Sequence, residues 1–469
     1  MGSTFFGLNV ALSGVVTNQR ALNTVSHNLT NATTPGYTRQ RVETAAQIPY
    51  THPALNNAVA PGQVGTGVVA TAHLRLRDQF VDLNYRSTSS DVGQWEARAD
   101  AMQTLDTVID EPGDTGITAL MSKYWSAWHA LSLQPDSAAA REAVRSAGQT
   151  LAAGFNDMSR QLTQAQTDAD TRLGLGVQRV NEIAGQLNNL NQQIGMVVAV
   201  GQEPNDLRDQ RDLLLDELAT LTNMGVSATG PNGKVTVTIG NQILVDPSTD
   251  TVNALAIGAG GAATVGGNAT TVTSGRLRGL VDLRDTVIGG PNGYTAQLDT
   301  MAAALVASVN ARHAAGYGLD GTTGNAFFQG TTAATIALDG AVAASTDKIA
   351  ASSTAGGLPG GSDAAIGMAQ LQYVVQTIGT ATTTLDGFYG QFVAKIGVDA
   401  DQASRLHQVQ SGVLDAAQAR RDGVSGVNMD EEMTDMVRFQ KSYNAAARMI
   451  TTLDQMLETI ITGMGVVGR

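Results

Sequence analysis

The sequence predicts a mainly α-helical protein with a β-containing insert, elongated and divided into several domains, whose N- and C-terminal helices pair like a coiled coil. Three observations carry this prediction. The first thirty residues and the last forty each show an apolar repeat of seven residues. Helical patterns dominate residues 87–224. The pattern changes to an alternation of two, typical of strands, in a stretch that begins after residue 224.

Length and composition limit the classes of protein that fit. The chain has 469 residues, enough for about three domains. Lys and Arg total 29 against 42 Asp and Glu, and the net charge of −13 repels the phosphates of nucleic acids. No basic run offers a membrane a docking patch, and the lack of cysteine excludes disulfides and thiolate metal sites. We therefore expect no nucleic acid or membrane as a partner.

The N-terminal helix is predicted from an apolar stripe. Leucine and valine recur along one helical face, and the stripe consists of Leu8, Leu12, Val15, Leu22 and Leu29. The residue before a proline avoids the α conformation, so the helix must end before Thr34 and Pro35. Pro35 and Gly36 are typical of a tight turn. A surface helix of a globular domain would show a similar stripe, so the pattern alone leaves both interpretations open.

The middle of the chain holds helices and then the β-containing insert. Residues 41–86 are predicted as an extended connector, and a helix is predicted from Asn205 to Leu221 with Asn205 or Asp206 as its N-cap. Beyond it, apolar residues alternate on both sides of a two-residue turn at 240–241: Val235, Val237, Ile239, Ile243 and Val245. This pattern predicts a β-hairpin. Helical patterns return at 276–312, and a Gly-rich segment follows at 314–363.

The C-terminal helix is the best-defined element of the sequence. Its a and d positions keep a heptad for four repeats: Met436, Phe439, Tyr443, Ala446, Ile450, Leu453, Leu457 and Ile460. Asn428 is the predicted N-cap, with Glu431 three residues later as in a capping box. Asp430, Glu431 and Glu432 place negative charge at the positive end of the helix dipole.

An isolated helix of this kind is marginal in water, so it needs a partner. Burying eight apolar positions is worth on the order of 10 kcal/mol before association costs. The N-terminal stripe and neighbouring copies of the chain are the candidate partners. We therefore predict that both stripes form an assembly interface.

The order of these elements predicts three domains. An inner helical layer contains residues 1–40 and 426–469. A connector and helical bundle domain with Gly-rich loops contains residues 41–225 and 276–425. A β-rich outer insert contains residues 226–275.

Both ends of the chain and three interior blocks resemble a known family. Residues 27–40 and 426–448 resemble the signatures of axial flagellar proteins, those of the rod, hook and hook-associated layers. The signature residues are Asn28, Asn31, Pro35, Gly36, Tyr37, Arg39, Gln40, Asn428, Asp430, Glu431 and Glu432. Within this group, the blocks at 206–218, 274–280 and 310–328 resemble the hook-associated protein 1 family.

This resemblance implies a structural adaptor subunit that forms a ring at the hook–filament junction of the bacterial flagellum. The implied partners are further copies of the chain, the hook protein, the second hook–filament junction protein and a flagellar export chaperone. The implied location is extracellular, after secretion by the flagellar type III apparatus. Residues 5–16 lack the basic charges of a cleavable secretory signal, which agrees with export without cleavage. The alternative is a sibling axial protein, such as hook protein or flagellin.

The sequence motifs that could carry chemistry all have simpler structural explanations. The six histidines, none of which pairs at i and i+4 as in a metal site, are His27, His52, His73, His129, His313 and His407. Adjacent carboxylates at 430–432 point to different sides of a helix, whereas a glycosidase needs two that face one cleft. A secreted enzyme is thus the weaker alternative. We predict no catalytic residue, no metal site and no cofactor.

Overall fold

The structure is a computed structural model that describes residues 5–49, 65–109, 113, 116–229 and 232–464. His52 and part of the predicted connector lie outside the described residues. The first half of the chain contains α1 (Phe5–Thr30), the antiparallel strands β1 (Gln40–Ala46) and β2 (Val68–Arg75), α2 (Gln79–Ile109), α3 (Ile117–Leu133), α4 (Ala138–Ala199) and α5 (Asn205–Leu221).

Two small antiparallel sheets form the insert. The first contains β3 (Met224–Thr229), β4 (Lys234–Ile239), β5 (Gln242–Asp246) and β6 (Thr251–Val252), in that order. The second contains β7 (Leu255–Ile257), β8 (Ala263–Val265) and β9 (Asn268–Thr270).

Helices dominate the rest of the chain. The remaining elements are α6 (Arg276–Asp282), which continues into a π-helical turn (Leu283–Ile288), α7 (Tyr294–Ala315), β10 (Phe328–Gln329), β11 (Ala337–Leu338), α8 (Gly340–Ala344), α9 (Asp363–Ala369), β12 (Gln376–Ile378), β13 (Ala381–Thr383), α10 (Leu385–Ser425) and α11 (Met429–Met464). The predicted fold class, mainly α with a β-containing insert and paired terminal helices, is confirmed.

Helix α4 organises the interior. Its 62 residues give a length of about 93 Å, and the Ser137 hydroxyl caps its start by accepting from Ala140 N. The first half of α4 packs with α3, α7 and the beginning of α10 around an aromatic centre that includes Tyr124, Trp128 and Phe327. Its second half packs with α5, α6 and the two sheets of the insert in a second hydrophobic cluster. The domain boundaries at 40, 225, 275 and 425 stay a prediction.

Glycines bring α2 very close to α5 and α6. A Cβ atom added to Gly93 would lie 2.2 Å from the Thr220 carbonyl oxygen, and one added to Gly279 would lie 2.4 Å from the Gln94 carbonyl oxygen. Any side chain at these positions would separate the helices. Gly279 belongs to the interior block 274–280, and the close packing explains why a glycine occupies this position.

Two local predictions differ from the structure. The hairpin turn lies at 240–241 as predicted, but a bulge in the β4–β5 pairing buries Leu244 and leaves Ile243 41% exposed. Pro204, not Asn205, occupies the N-cap position of α5, and Asn205 is the first helical residue. The Gly-rich segment 314–363 is packed into the first cluster, because its apolar residues, such as Phe328, are buried there.

Candidate functional site

The terminal helices α1 and α11 pack side by side in opposite directions. A Cβ atom added to Gly7 would lie 3.4 Å from Leu453 Cδ1, and one added to Gly14 would lie 3.5 Å from Ala446 Cβ. Further along, the Asn28 amide donates to Glu432 Oε2 over 3.0 Å. Each move of seven or fourteen residues forward on α1 is matched by an equal move backward on α11. The contact line between them, which we call the seam, therefore follows the heptad of both helices.

The seam of α1 consists of small and polar residues. Its buried members are Ala11, Ala21, Val25 and Asn28. The buried Thr17 and Thr24 lie on another face of α1 and bind Val68 and His73 of β2. The predicted stripe lies beside the seam, where Leu8, Val15, Leu22 and Leu29 are half-buried and Leu12 is 49% exposed. The predicted and buried heptads differ by one residue, or about 100° around the helix. Small side chains occupy the seam because they let the two backbones approach closely.

The seam of α11 contains the heptad predicted for it. Seven of the eight positions are half-buried: Met436, Phe439, Tyr443, Ala446, Ile450, Leu453 and Leu457. The eighth, Ile460, is 44% exposed. Further large apolar side chains of α11 face away from the seam and are exposed, namely Met429, Met433, Val437, Met449, Met456 and Ile461. The pair thus buries one face of each helix and leaves apolar surface on the others.

Asn28 lies at the centre of a polar cluster that joins the two ends of the chain. We call Asn28, Tyr37, Arg39, Gln40 and Glu432 the terminal cluster. The Asn28 amide donates to the Gln40 carbonyl oxygen (2.8 Å) and to Glu432, and its Oδ1 accepts from Gln40 N (3.0 Å) and the Tyr37 hydroxyl (2.7 Å). Asn28 is buried, and both of its polar atoms have partners, so the amide fits this position as a neutral hydrogen-bonding bridge.

Arg39 and Glu432 form the charged part of the terminal cluster. Arg39 Nε donates to Glu432 Oε1 over 2.6 Å, and its terminal nitrogen donates to Glu431 Oε2 over 2.6 Å. The backbone N–H of Arg39 also donates to the Ser425 carbonyl oxygen at the end of α10. Burial opposes the charge of Arg39, but the hydrogen bonds and charges of Glu431 and Glu432 outweigh it and raise its pKa. Glu432 is only 1% exposed, so this carboxylate depends on its partners.

The other signature residues shape the segments around the terminal cluster. Asn31 donates to the His27 carbonyl oxygen at the end of α1, and Gly36 turns at a φ of 78° directly over Leu213 of α5. Pro35 precedes it in a turn closed by the hydrogen bond from Tyr37 N to the Thr34 carbonyl oxygen. Burial, together with Asp206, Asp209 and Glu432, raises the pKa of Tyr37.

The start of α11 is capped as predicted. Asn428 Oδ1 accepts from Asp430 N over 3.0 Å and from Glu431 N over 3.5 Å. Asp430 is exposed and lies outside the terminal cluster. Glu431 and Glu432 carry a second role that their dipole placement did not predict, because both bind Arg39 from the other end of the chain.

A second polar cluster, which was not predicted from the sequence, lies next to the terminal cluster. Four aspartates on α2 and α5 pair with four arginines from β2, α2, α10 and the segment after β2. The members of this arginine–aspartate cluster are Arg75, Arg77, Asp82, Arg86, Asp209, Asp212, Asp216 and Arg421. Asp206, Asp209, Asp212 and Asp216 follow one another at spacings of three and four, which places them on one face of α5. This spacing was the signal that could have revealed the cluster.

Asp212 is the centre of the arginine–aspartate cluster. Its carboxylate lies 2.6 Å from Arg75, 3.0 Å from Arg77 and 3.3 Å from Arg86. Burial works to raise the pKa of Asp212, but the charges of these three arginines outweigh it and lower that pKa to about 2. The two clusters are connected through Thr38, which lies between Tyr37 and Arg39 and whose backbone N–H donates to Asp209 Oδ2 over 3.1 Å.

Three of the histidines that the structure describes have hydrogen-bond partners within the fold: His27 pairs with Asp206, His73 with Thr24, and His313 with two backbone groups. His313 is buried, its Nδ1 pairs with the Asn325 carbonyl oxygen, and Ala350 N donates to its Nε2. Burial lowers the pKa of His313 to about 4, so the ring is neutral at pH 7. Over the described part of the chain, no three His, Asp or Glu side chains are grouped to hold a metal ion. No helix found there has both the length and the apolarity to cross a membrane.

Comparison with family models gives three matches along the chain. Residues 102–328 match the helical domain of flagellar hook-associated protein FlgK. Residues 8–38 match the flagella basal body rod protein model, and residues 423–463 match the C-terminal model of the basal body rod FlgEFG proteins. The two short matches cover most of the terminal helices and include Asn28, Tyr37 and Glu432 of the terminal cluster.

Relatives and a solved structure agree with these matches. Flagellar hook-associated protein 1 of Bacillus subtilis is 33% identical over the full length of both chains. The protein of the same name from Escherichia coli is 25% identical, over 97% of this chain and 99% of its own. The flagellar hook junction protein FlgK of Burkholderia pseudomallei has a similar fold, with a TM-score of 0.61 and 16% identity over 73% of this chain and 100% of its own.

Proposed function

The chain belongs to the flagellar hook-associated protein 1 family, and from that premise we propose that it serves as a structural adaptor subunit between the hook and the filament of a bacterial flagellum. As a flagellar protein of this family it assembles with other flagellar components. We further propose that copies of the chain form a ring, which contacts the hook protein on one side and the second junction protein on the other. Before assembly, an export chaperone binds the chain.

One observation supports this function above the others. Helices α1 and α11 contribute no residue to either hydrophobic cluster, and they keep large apolar side chains exposed. Monomeric proteins seldom leave such residues along two neighbouring helices without a use. In an adaptor, neighbouring subunits cover this surface. We therefore assign the assembly interface to the helix pair as a whole. It contains the two predicted stripes, of which the α11 stripe packs on α1 within the chain, and the exposed residues of α11, which neighbouring subunits can cover.

The location and the lack of chemistry follow from the same proposal. The flagellum is the site of action, and secretion through the flagellar export apparatus without cleavage brings the chain there. The division into an inner helical layer, a bundle domain and a β-rich outer insert fits this role, because the inner layer contains both ends of the chain. The adaptor uses no cofactor and catalyses no reaction.

Replacing Leu453 and Leu457 by Asp tests the proposal. Each change removes roughly 2 kcal/mol of apolar burial and introduces a carboxylate into the seam. Because neither residue belongs to the two hydrophobic clusters, the body should fold and the chain should be secreted. Assembly at the hook tip should fail, and cells should shed filament subunits into the medium. Electron microscopy of hook tips and thermal melting of the purified variant give the two readouts.

The matched control places the same chemistry outside the terminal helices. Leu133 and Leu175 are 72% and 62% exposed on α3 and α4, and their replacement by Asp should leave both folding and assembly intact. Global unfolding of the Leu453/Leu457 variant would instead identify α11 as an ordinary core helix. Normal assembly of that variant would contradict the proposed interface.

A further inference from the structure

We propose that Glu432 is a positioning residue that fixes the axial register of α11 on α1. The structure shows one register, in which Gly7 faces Leu453, Gly14 faces Ala446 and Asn28 faces Glu432. The inference concerns the chain before assembly. It therefore goes beyond the proposed function and does not depend on the presence of a flagellum.

The apolar part of the seam carries little information about register. The α1 residues at one heptad position are Gly7, Gly14 and Ala21, which present almost the same small surface at each repeat. A displacement of α11 by seven residues, about 10 Å along the axis, would bring heptad positions back onto heptad positions. Small side chains also offer few shape features that could oppose such sliding.

The polar contacts of the terminal cluster distinguish the observed register from the shifted ones. Sliding α11 by one heptad would place Phe439 or the region of Ser425 opposite Asn28, where Glu432 now lies. Neither residue can accept a charge-assisted hydrogen bond from the side chain of Arg39 as a carboxylate does. Either shift would leave Arg39 and Asn28 without the acceptor that they share. In one direction Glu432 would face Ala21 in the apolar part of the seam, and in the other it would lie opposite Pro35, beyond the end of α1. A single polar contact in a heptad seam is a known physical means of selecting one register.

The geometry around Glu432 is rigid enough for this role. Its two oxygens bind different partners, since Oε1 accepts from Arg39 Nε and Oε2 accepts from Asn28. Arg39 is itself held through its backbone by Ser425, and Asn28 is held by Gln40 and Tyr37. The backbone of Arg39 and the side chain of Asn28 are therefore held by contacts outside α11. Glu432 can satisfy them in only one position along the seam.

Cysteine cross-linking of the full chain can read the register directly, because the chain has no cysteine of its own. Ala446→Cys is combined in turn with Gly7→Cys, Gly14→Cys or Ala21→Cys. The Cβ distance of 3.5 Å between positions 14 and 446 suits a disulfide, whereas positions 7 and 21 lie a full heptad away and cannot reach. With Glu432 present, only the pair 14–446 should form under a glutathione redox buffer.

The test variant is Glu432→Leu, and two others serve as controls. In Glu432→Leu, the pairs 7–446 or 21–446 should appear and the yield of 14–446 should fall, since the buried acceptor is gone and only the exposed contact of Arg39 with Glu431 remains. Glu432→Gln keeps an acceptor for Arg39 and should retain mainly the 14–446 product. Asp430→Leu removes a charge from the same helix end outside the terminal cluster and should leave the single register unchanged.

Each remaining outcome contradicts the inference. If Glu432→Leu still gives only the 14–446 product, the seam itself sets the register. If it gives no product at any position while circular dichroism shows a folded body, Glu432 is needed for docking and not for register. Shifted products in Asp430→Leu would assign the effect to helix-end charge.

Discussion

Asp212 illustrates how strongly single residues depend on their partners in this protein. It carries one negative charge and lies within 3.3 Å of three guanidinium groups, which come from β2, the segment after it and α2. In the low-dielectric interior, the arginines need this carboxylate as much as it needs them. The same reciprocity holds for Glu432 and Arg39, which come from opposite ends of the chain.

Replacing Asp212 by Asn should show this dependence as a pH effect. Removing one partner of a buried ionic cluster costs about 3 kcal/mol, so at pH 7 the variant should unfold at lower urea concentration. The folded pKa of Asp212 is lowered to about 2. Its stabilising contribution is therefore complete above its ordinary value near 4 and is lost as the pH falls towards 2. Urea titrations between pH 5 and pH 2 should show the gap between parent and variant closing.

Asp216→Asn offers a comparison within the same cluster. Asp216 pairs with Arg86 and Arg421 and lies at its edge, so fewer arginines lose a partner. We expect a smaller loss of stability at pH 7. Equal effects of the two variants, or a gap for Asp212→Asn that does not change with pH, would contradict the central role of Asp212.

At the scale of elements, the sequence predicted which helices and strands exist better than it predicted which face of each helix is buried. The a and d residues of α11 lie in the seam because large apolar side chains there match the heptad of a helix pair. The same reasoning placed the predicted stripe of α1, which begins at Leu8, in the seam. In the structure, Gly14 and Ala21 occupy the seam instead. A search for periodicity finds the positions of large apolar residues. Small residues, however, determine where two helices can approach most closely. A pattern search cannot see that difference without the partner helix.

Of the two polar clusters, the terminal cluster was predicted in part. The signature residues at both ends were identified from their resemblance to a family, and the structure brings Asn28, Tyr37, Arg39 and Glu432 together. The arginine–aspartate cluster was not predicted. The spacing of the α5 aspartates marks one charged helix face, but Arg75 and Arg421 are hundreds of residues apart and nothing in their segments identifies these aspartates as their partners. In the insert, the bulge that buries Leu244 has no local sequence signal either.

Close packing of α2 on α5 gives a prediction at this scale. Gly93→Ala would place a methyl group 2.2 Å from the Thr220 carbonyl oxygen, so we expect the free energy of unfolding to fall by about 1–3 kcal/mol. Gly174→Ala is the matched control, because a Cβ atom there has no neighbour within 4 Å. In the middle of α4 it should raise stability by about 0.5–1 kcal/mol. Thermal melting that ranks the two variants in the opposite order would contradict the packing described here.

At the scale of the whole molecule, α4 joins the two hydrophobic clusters and the terminal pair lies outside both. The body should therefore unfold as one unit, while α1 and α11 should open locally at lower cost. Hydrogen exchange of the free chain should show faster exchange in α1 and α11 than in α4. After assembly, exchange in the terminal helices should slow while that of α4 stays the same. Equal protection of α11 and α4 in the free chain would contradict this division.

The antiparallel seam also determines how the molecule responds to mechanical force. Phe5 and the last turns of α11 lie at the same end of the pair, so a pull on the two chain ends would peel the helices apart from Gly7 towards Glu432. Contacts would then break one heptad at a time, and the buried ion pair with Arg39 would be loaded last. A load directed along the helix axes, as between stacked layers of an assembly, would instead act on all of these contacts together. The same seam is thus weak against peeling and strong against shear.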